Sequence, residues 1–255
     1  MRFLLYNVRY CAGTGGRFHW PFPWSGYLKQ TRHNLDRITE FIGSVHPDIV
    51  GLVEVDGGSF RSEHLNQAEF IAAALGQYHS YESKYEESSL ARLMPVMNKQ
   101  INAFLTSNVI KDEKFLYFEH GVKRLVIQLE LERLVVFLVH LSIKFRHRHH
   151  QLSDLYSLVK DVKKPVIVAG DFNAFWGAKE IELFLAATGL SNANRLGLPS
   201  YPSRAPKRQL DLVLLSPEIR VTHFEIPPVS FSDHLPLICD FEIGAPGAPR
   251  SERAT

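Results

Sequence analysis

Eight polar residues of this chain stand where a run of apolar residues gives out: Asn7, Glu54, His140, Asp171, Asn173, Asp211, Asp233 and His234. Their types form a usable chemical set. Carboxylate and carboxamide oxygens are hard ligands suited to Mg2+ or Mn2+. An imidazole beside a carboxylate donates to anionic oxygens. A carboxylate can also take a proton from water, and a carboxamide N–H can hold a charged oxygen. Any one of these residues alone reads as a turn or a satisfied hydrogen bond. The central stretch is Val166-Ile-Val-Ala-Gly-Asp-Phe-Asn173, an apolar strand that stops at Gly170. If the backbone stays extended beyond it, Asp171 and Asn173 project to the same side. The ordinary alternative is an Asx turn that ends the strand.

The elements that must position these groups follow from hydrophobic periodicity. Phe3–Tyr6, Asp48–Val53, Ile101–Leu105, Leu125–Leu131, Leu134–Val139, Leu210–Leu215 and Leu237–Ile243 read as strands. The third and fourth of these are expected to pair as antiparallel neighbours joined by residues 106–123. Helices are expected over Leu28–Val45, ending near Gly43 or Pro47, over Gln67–Leu75 with Gly76 closing it, from the basic run after His140 to Val162, and over Glu180–Ala187. Strands and helices mix without strict alternation, which favours a layered α/β sandwich over a doubly wound parallel sheet.

A chain of 255 residues with 45% hydrophobic content can bury a full core. Charged residues make up 22% and the net charge is +2, so no global field dictates a partner. Cys11 and Cys239 are too few for a disulfide framework or a zinc cluster. There is no signal-peptide pattern and no apolar run of membrane-spanning length, so the expectation is a soluble, cytoplasmic protein with no obligate protein partner. A single catalytic domain is expected over residues 1–243, with residues 244–255, rich in Gly, Pro and charge, as a loose tail.

In order, Tyr-Asn7-Val-Arg9, Gly-Leu-Val-Glu54-Val, His140-Leu-Ser, Gly-Asp171-Phe-Asn173, Leu-Asp211-Leu-Val-Leu-Leu-Ser and Ser-Asp233-His234-Leu-Pro resemble the motifs of the endonuclease/exonuclease/phosphatase superfamily. The resemblance runs from about Phe3 to Ile243. It implies a four-layer sandwich, two mixed β-sheets flanked by helices, and a Mg2+- or Mn2+-dependent phosphoesterase using water as nucleophile. It also implies roles. Glu54 is the main metal carboxylate, with Asn7 and Asp233 assisting. Asp171 orients or deprotonates water, Asn173 and His140 hold phosphate oxygens, and Asp211 orients a cationic His234. Abasic-site endonucleases carry an acid where Arg9 stands. Arg9 is closer to the deoxyribonuclease and sphingomyelinase branches, where a basic residue meets phosphate. Many members carry an active-site tyrosine in the region of residues 78–98, which does not align clearly here; Tyr78, Tyr81 and Tyr85 are the candidates it offers.

The resemblance implies a phosphate-ester substrate, either nucleic acid or a phosphorylated lipid or small molecule; a family member that binds phosphate without turnover is the non-enzymatic alternative. Retention of both Asp171 and the Asp211–His234 pair argues against a pure binder. Arg61, on the loop after Glu54, is a candidate for substrate phosphate or an ordinary solvated arginine. The basic runs 144–150 and 204–208 pose the same question. Trp20 and Trp24, with Tyr27, lie on a Pro-stiffened segment that leaves the Asn7 strand, and are candidates for a substrate-pocket wall or for plain packing.

Overall fold

The computed structural model describes residues 1–14, 31–84 and 97–244. In chain order the elements are β1 (Arg2–Asn7), α1 (Arg32–Val45), β2 (Ile49–Asp56), α2 (Gln67–Leu75), β3 (Tyr78–Ser83), β4 (Gln100–Thr106), β5 (Asp112–Tyr117) and β6 (Leu125–Glu130). They continue with β7 (Val135–His140), α3 (Phe145–Val159), β8 (Val166–Asp171), α4 (Glu182–Thr188), β9 (Ser191–Asn192), β10 (Asp211–Leu215), β11 (Ile219–Glu225) and β12 (Leu237–Ile243). One six-stranded sheet runs β11-β12-β1-β2-β4-β3 and the other β5-β6-β7-β8-β10-β9. Both are mixed: β1–β2 and β7–β8 are parallel, and the remaining pairs are antiparallel.

The period of two along each strand sorts side chains into three cores. Phe3, Leu5, Val136, Leu138, Ile167, Ala169, Val213 and Leu215 fill the space between the sheets. Leu4, Tyr6, Val50 and Leu52 face the other way, onto Leu35 and Ile38 of α1 and Ala68 and Ile71 of α2. Val166, Val168, Leu212 and Leu214 pack on Leu152 and Leu155 of α3 and Phe184 of α4. The architecture is therefore the expected α/β sandwich of helices, sheet, sheet and helices.

Local chemistry explains where several elements stop. Asn66 caps α2 by accepting from Ala68 N–H and Glu69 N–H, and Gly76 closes it in the left-handed region at φ 63°. The α1 helix ends at His46, itself left-handed at φ 51°, whereas Gly43 lies inside the helix.

Two expectations fail. β4 and β6 are not neighbours: they belong to different sheets, and β5, within the segment read as a connection, is the partner of β6. Both strands are equally apolar, so periodicity alone could not tell which sheet each joins. The strands also run further than their apolar stretches. β8 continues through Asp171, and β2 passes Glu54 to Asp56.

Gly170 shows why β8 carries glycine beside its functional end. Its φ is 150°, and a Cβ there would lie 1.9 Å from the Val139 carbonyl oxygen on parallel β7. Gly170→Ala must push the two central strands apart. The expected cost is about 1–3 kcal/mol, as for other overpacking changes, read as a lower denaturation midpoint together with loss of activity. An unchanged midpoint would show that the strands give way freely.

Candidate active site

The polar residues continue the stripe between the sheets past the point where its apolar part ends. Asn7 follows Phe3 and Leu5, His140 follows Val136 and Leu138, and Asp171 follows Ile167 and Ala169. Asp211 begins the stripe of Val213 and Leu215. In one sheet, His140 pairs in register with Asp171, and Asp171 with Asp211. Asn7 comes from the other sheet and donates from Nδ2 to Asp171 Oδ2 at 3.2 Å. The site thus forms across the mouth of the sandwich.

Glu54 reaches this mouth through a backbone irregularity. Leu52 and Val55 both face the helical side, with two residues between them rather than one, and the β2–β4 register shifts at this point. This β-bulge places Glu54 at φ 58° and puts its side chain toward the other sheet. Glu54 Oε1 lies 3.7 Å from His140 Nε2 and 3.4 Å from Lys123 Nζ. Burial alone would raise the Glu54 carboxyl, but Lys123, Lys84 and His140 outweigh it and bring the pKa down to about 2.

His140 Nε2 also contacts Lys123 Nζ closely and lies 3.3 Å from Asp171 Oδ2. Burial, then the charges of Lys123 and Lys84, lower its pKa to about 4, so the ring is neutral at physiological pH. Asp171 is buried, which by itself would raise its pKa. The hydrogen bond with His140 and the charge of His234 win, and hold it well below the usual carboxylate range.

The Asp211–His234 pair forms as expected. His234 Nδ1 lies 2.7 Å from Asp211 Oδ2, and Ser200 Oγ donates to the same oxygen at 2.6 Å. Burial alone would lower the His234 pKa, but Asp211, with Asp171 and Asp233 behind it, raises it to about 10. Tyr201 stacks obliquely on the imidazole at 4.8 Å and meets Phe175 edge-on at 6.3 Å. The Arg208 guanidinium covers that Phe175 ring at 5.1 Å, so the second basic run reaches the rim of the site.

Several roles are redrawn. Asn173 is left-handed at φ 51°, so it does not project beside Asp171 from an extended strand. Its N–H donates to Asp171 Oδ1, closing an Asx turn, and its Nδ2 donates to the Leu141 carbonyl. Arg61 is not a flexible loop arginine. Its side chain is fully buried, bonded to Asp56 at 2.9 Å and stacked over Tyr10. Arg9 is buried, with Nε 3.3 Å from Asp233 Oδ2 and Nη1 donating to the Gly13 carbonyl. Arg9 and Asp233 therefore face each other. Trp20, Trp24 and Tyr27 lie outside the described residues, as do Tyr85 and residues 245–255. Of the other two candidate tyrosines, Tyr78 is exposed and Tyr81 bonds Glu69.

Sequence reasoning missed Lys84 and Lys123. Lys84, directly after β3, is buried against Tyr10, with Nζ 3.2 Å from its hydroxyl. Burial lowers its pKa to about 7 against the pull of Glu54. Neither lysine sits in a motif; their signal is only position, one after a short strand and one before β6.

Asp171, Asp211 and His234 offer ligand atoms within 4.8 Å of one another. A His234 kept cationic, with Nδ1 on Asp211, disfavours a metal there. The ionised Glu54, next along β2 from the register partner of Asn7, suits a hard cation better. One carboxylate and one neutral oxygen leave room for water and phosphate, which is how Mg2+ is commonly held.

Two outcomes are expected from these contacts. Arg61→Met leaves Asp56 as an uncompensated buried charge and costs about 3–5 kcal/mol, measured by denaturant unfolding. A stable variant with a raised KM alone would return Arg61 to substrate binding. For Asp211→Asn and His234→Ala, each costs about 10²–10³-fold in kcat, and the double variant is little worse than the worse single one. Losses that multiply would show independent action.

The profile of the Endonuclease/Exonuclease/phosphatase family matches residues 4–234. No curated protein matches the sequence. Among solved structures, an endonuclease/exonuclease/phosphatase from Beutenbergia cavernae is 19% identical, with a TM-score of 0.73, over 98% of this chain and 73% of that one. The human Nocturnin catalytic domain is 21% identical, with a TM-score of 0.68, over 95% and 93%. A mannosyl-6-phosphatase from Bacteroides thetaiotaomicron is 14% identical, also with a TM-score of 0.68, over 95% and 100%. These likenesses carry the fold. With the profile match over most of the length, the motifs and the strand ends that bear them, the chain belongs to the Endonuclease/Exonuclease/phosphatase family.

Proposed function

We propose that this protein hydrolyses a phosphate ester, a diester or a monoester, with water as the nucleophile and Mg2+ or Mn2+ as cofactor. Family membership supports a phosphoesterase. The observation that carries the finer reading is the ionised Glu54, turned by a β-bulge toward His140 and Asp171 of the opposite sheet. Glu54 and Asn7 would hold the metal, which when bound would supply Lewis-acid polarisation of a phosphate oxygen.

The chain's own residues supply the rest. Asp171 stays ionised far below neutral pH and is therefore a weak base. Its part is to accept a hydrogen bond from the attacking water and aim it. His234, with Nδ1 on Asp211, has Nε2–H as its donor to a phosphate oxygen and carries positive charge to the transition state. Lys123 adds a donor on the Glu54 side, and Lys84 adds another that is partly protonated at neutral pH. His140 contributes a neutral donor between the two carboxylates. Asn173 works by fixing the Asx turn at Asp171 and by tying the β7–α3 loop through Leu141. The division suits phosphoryl transfer, which needs positioning and charge neutralisation more than covalent chemistry.

The nucleic-acid and lipid or small-molecule readings separate on a metal-supplemented panel of plasmid DNA, abasic DNA, RNA, phosphoinositides, sphingomyelin and bis-p-nitrophenyl phosphate. The mechanism is tested at Glu54. Glu54→Gln is expected to keep the melting temperature while weakening Mn2+ binding by calorimetry and lowering activity in parallel, because a neutral amide is a poorer hard-cation ligand. Full activity in EDTA, or an undiminished Glu54→Gln variant, would remove the metal from the mechanism.

A further inference from the structure

A groove of about 920 Å3 lies between α3 and α4, lined by Phe145, Leu152, Tyr156, Trp176, Leu183 and Phe184 among others. On α3, Phe145, Leu152 and Tyr156 fall at helical spacing, i, i+7 and i+11, on one face. Its outer lip is unusually apolar for a surface: Trp176 is 79% exposed, Leu183 74% and Phe145 53%, and Ile143, two residues before Phe145, is 58% exposed. Such a cluster marks a surface that is covered by something. Basic residues flank it: Lys144 and Arg146 bracket Phe145 in sequence, and Lys179 lines the groove itself. Glu182 is the exposed acid beside Leu183, so positive charge prevails on this rim.

The groove is built to hold its shape. Arg148 is fully buried at its base, bonded to Glu180 and donating from Nη1 to the carbonyls of Ser142 and Ile143. Glu180 in turn accepts from Trp176 N–H at 2.7 Å. This ion pair clamps the loop after His140 to the loop after Asn173, so the groove begins three residues from Asn173 and five from His140.

We propose that this groove and its cationic rim dock the protein on an anionic phospholipid surface. The groove and exposed lip take acyl-chain matter, and Lys144, Arg146 and Lys179 meet the lipid phosphates. The combination favours lipid over the other anionic polymer, nucleic acid: a phosphate backbone needs cations and flat rings, but has no use for Leu183 and Ile143. An exposed tryptophan beside lysines is the arrangement of an interfacial anchor.

The inference concerns docking and is read without turnover, so its failure is distinct from a failure of the phosphoesterase reading. Vesicles of phosphatidylcholine with phosphatidylglycerol should sediment the protein, pure phosphatidylcholine vesicles should not, and salt should release it. Lys144→Gln with Lys179→Gln should weaken partition by about 25-fold, about fivefold for each lysine lost. Trp176→Ser with Leu183→Ser should abolish partition even at low salt. Both double variants should keep the melting temperature and the turnover of dissolved bis-p-nitrophenyl phosphate. On binding, the emission difference between the protein and Trp176→Phe should shift to the blue. Three results would overturn the docking role: equal binding to neutral and anionic vesicles, a single-stranded oligonucleotide bound through this face in preference to vesicles, or a dimer that the Trp176/Leu183 variant dissociates.

Discussion

The structure depends on a buried carboxylate shared between two sheets. Asp171 ends the central strand of one sheet and accepts a hydrogen bond from Asn7 of the other. Buried this deeply, an unpaired carboxylate would cost several kcal/mol. His140, Asn7 and the Asn173 N–H supply its partners, and His234 adds positive charge. The two inner faces must therefore meet in one alignment at the mouth. The apolar stripes below Asp171 and Asn7 fix the spacing of the sheets, and the polar ends complete one another only at that spacing.

Around this contact the backbone departs from the regular forms that build the core. Glu54 sits in a left-handed bulge, Asn173 closes a left-handed turn, and Arg9, Tyr10 and Cys11 are three consecutive left-handed residues. Such conformations cost about 1–3 kcal/mol each at non-glycine positions. They survive because the neighbouring groups determine them. Tyr10 is held between Arg61 and Lys84, and Asn173 is bonded at both its backbone and its side chain. At Glu54 the strain redirects a side chain toward the mouth.

Two buried ion pairs hold the loops that leave the site. Asp56–Arg61 closes the turn after the Glu54 strand, with Asp56 also accepting from Ser59 and Ser62. Arg148–Glu180 joins the loops that follow His140 and Asn173. Each charge is satisfied by several donors or acceptors, which is the condition under which a buried pair holds position rather than simply costing desolvation. Arg61, a candidate for substrate phosphate on sequence grounds, thus proves to be a fastening.

What the sequence by itself determined is the local part. The lengths of β12 and α2, the capping of α2 by Asn66 and Gly76, the apolar stripes and the set of polar strand ends all arise from neighbours in sequence, where spacing carries the information. The Asp211–His234 pair was legible because each stands in a short motif. Only the tertiary structure decided which sheet β4 and β6 join, since strand pairing is a long-range choice between equally apolar edges. It also decided that Arg61 is buried, that Arg9 answers Asp233 and that Lys84 and Lys123 enter the site. A long cationic side chain has many rotamers and reaches whichever carboxylate the fold brings near, so its destination is set by packing rather than by its own sequence context.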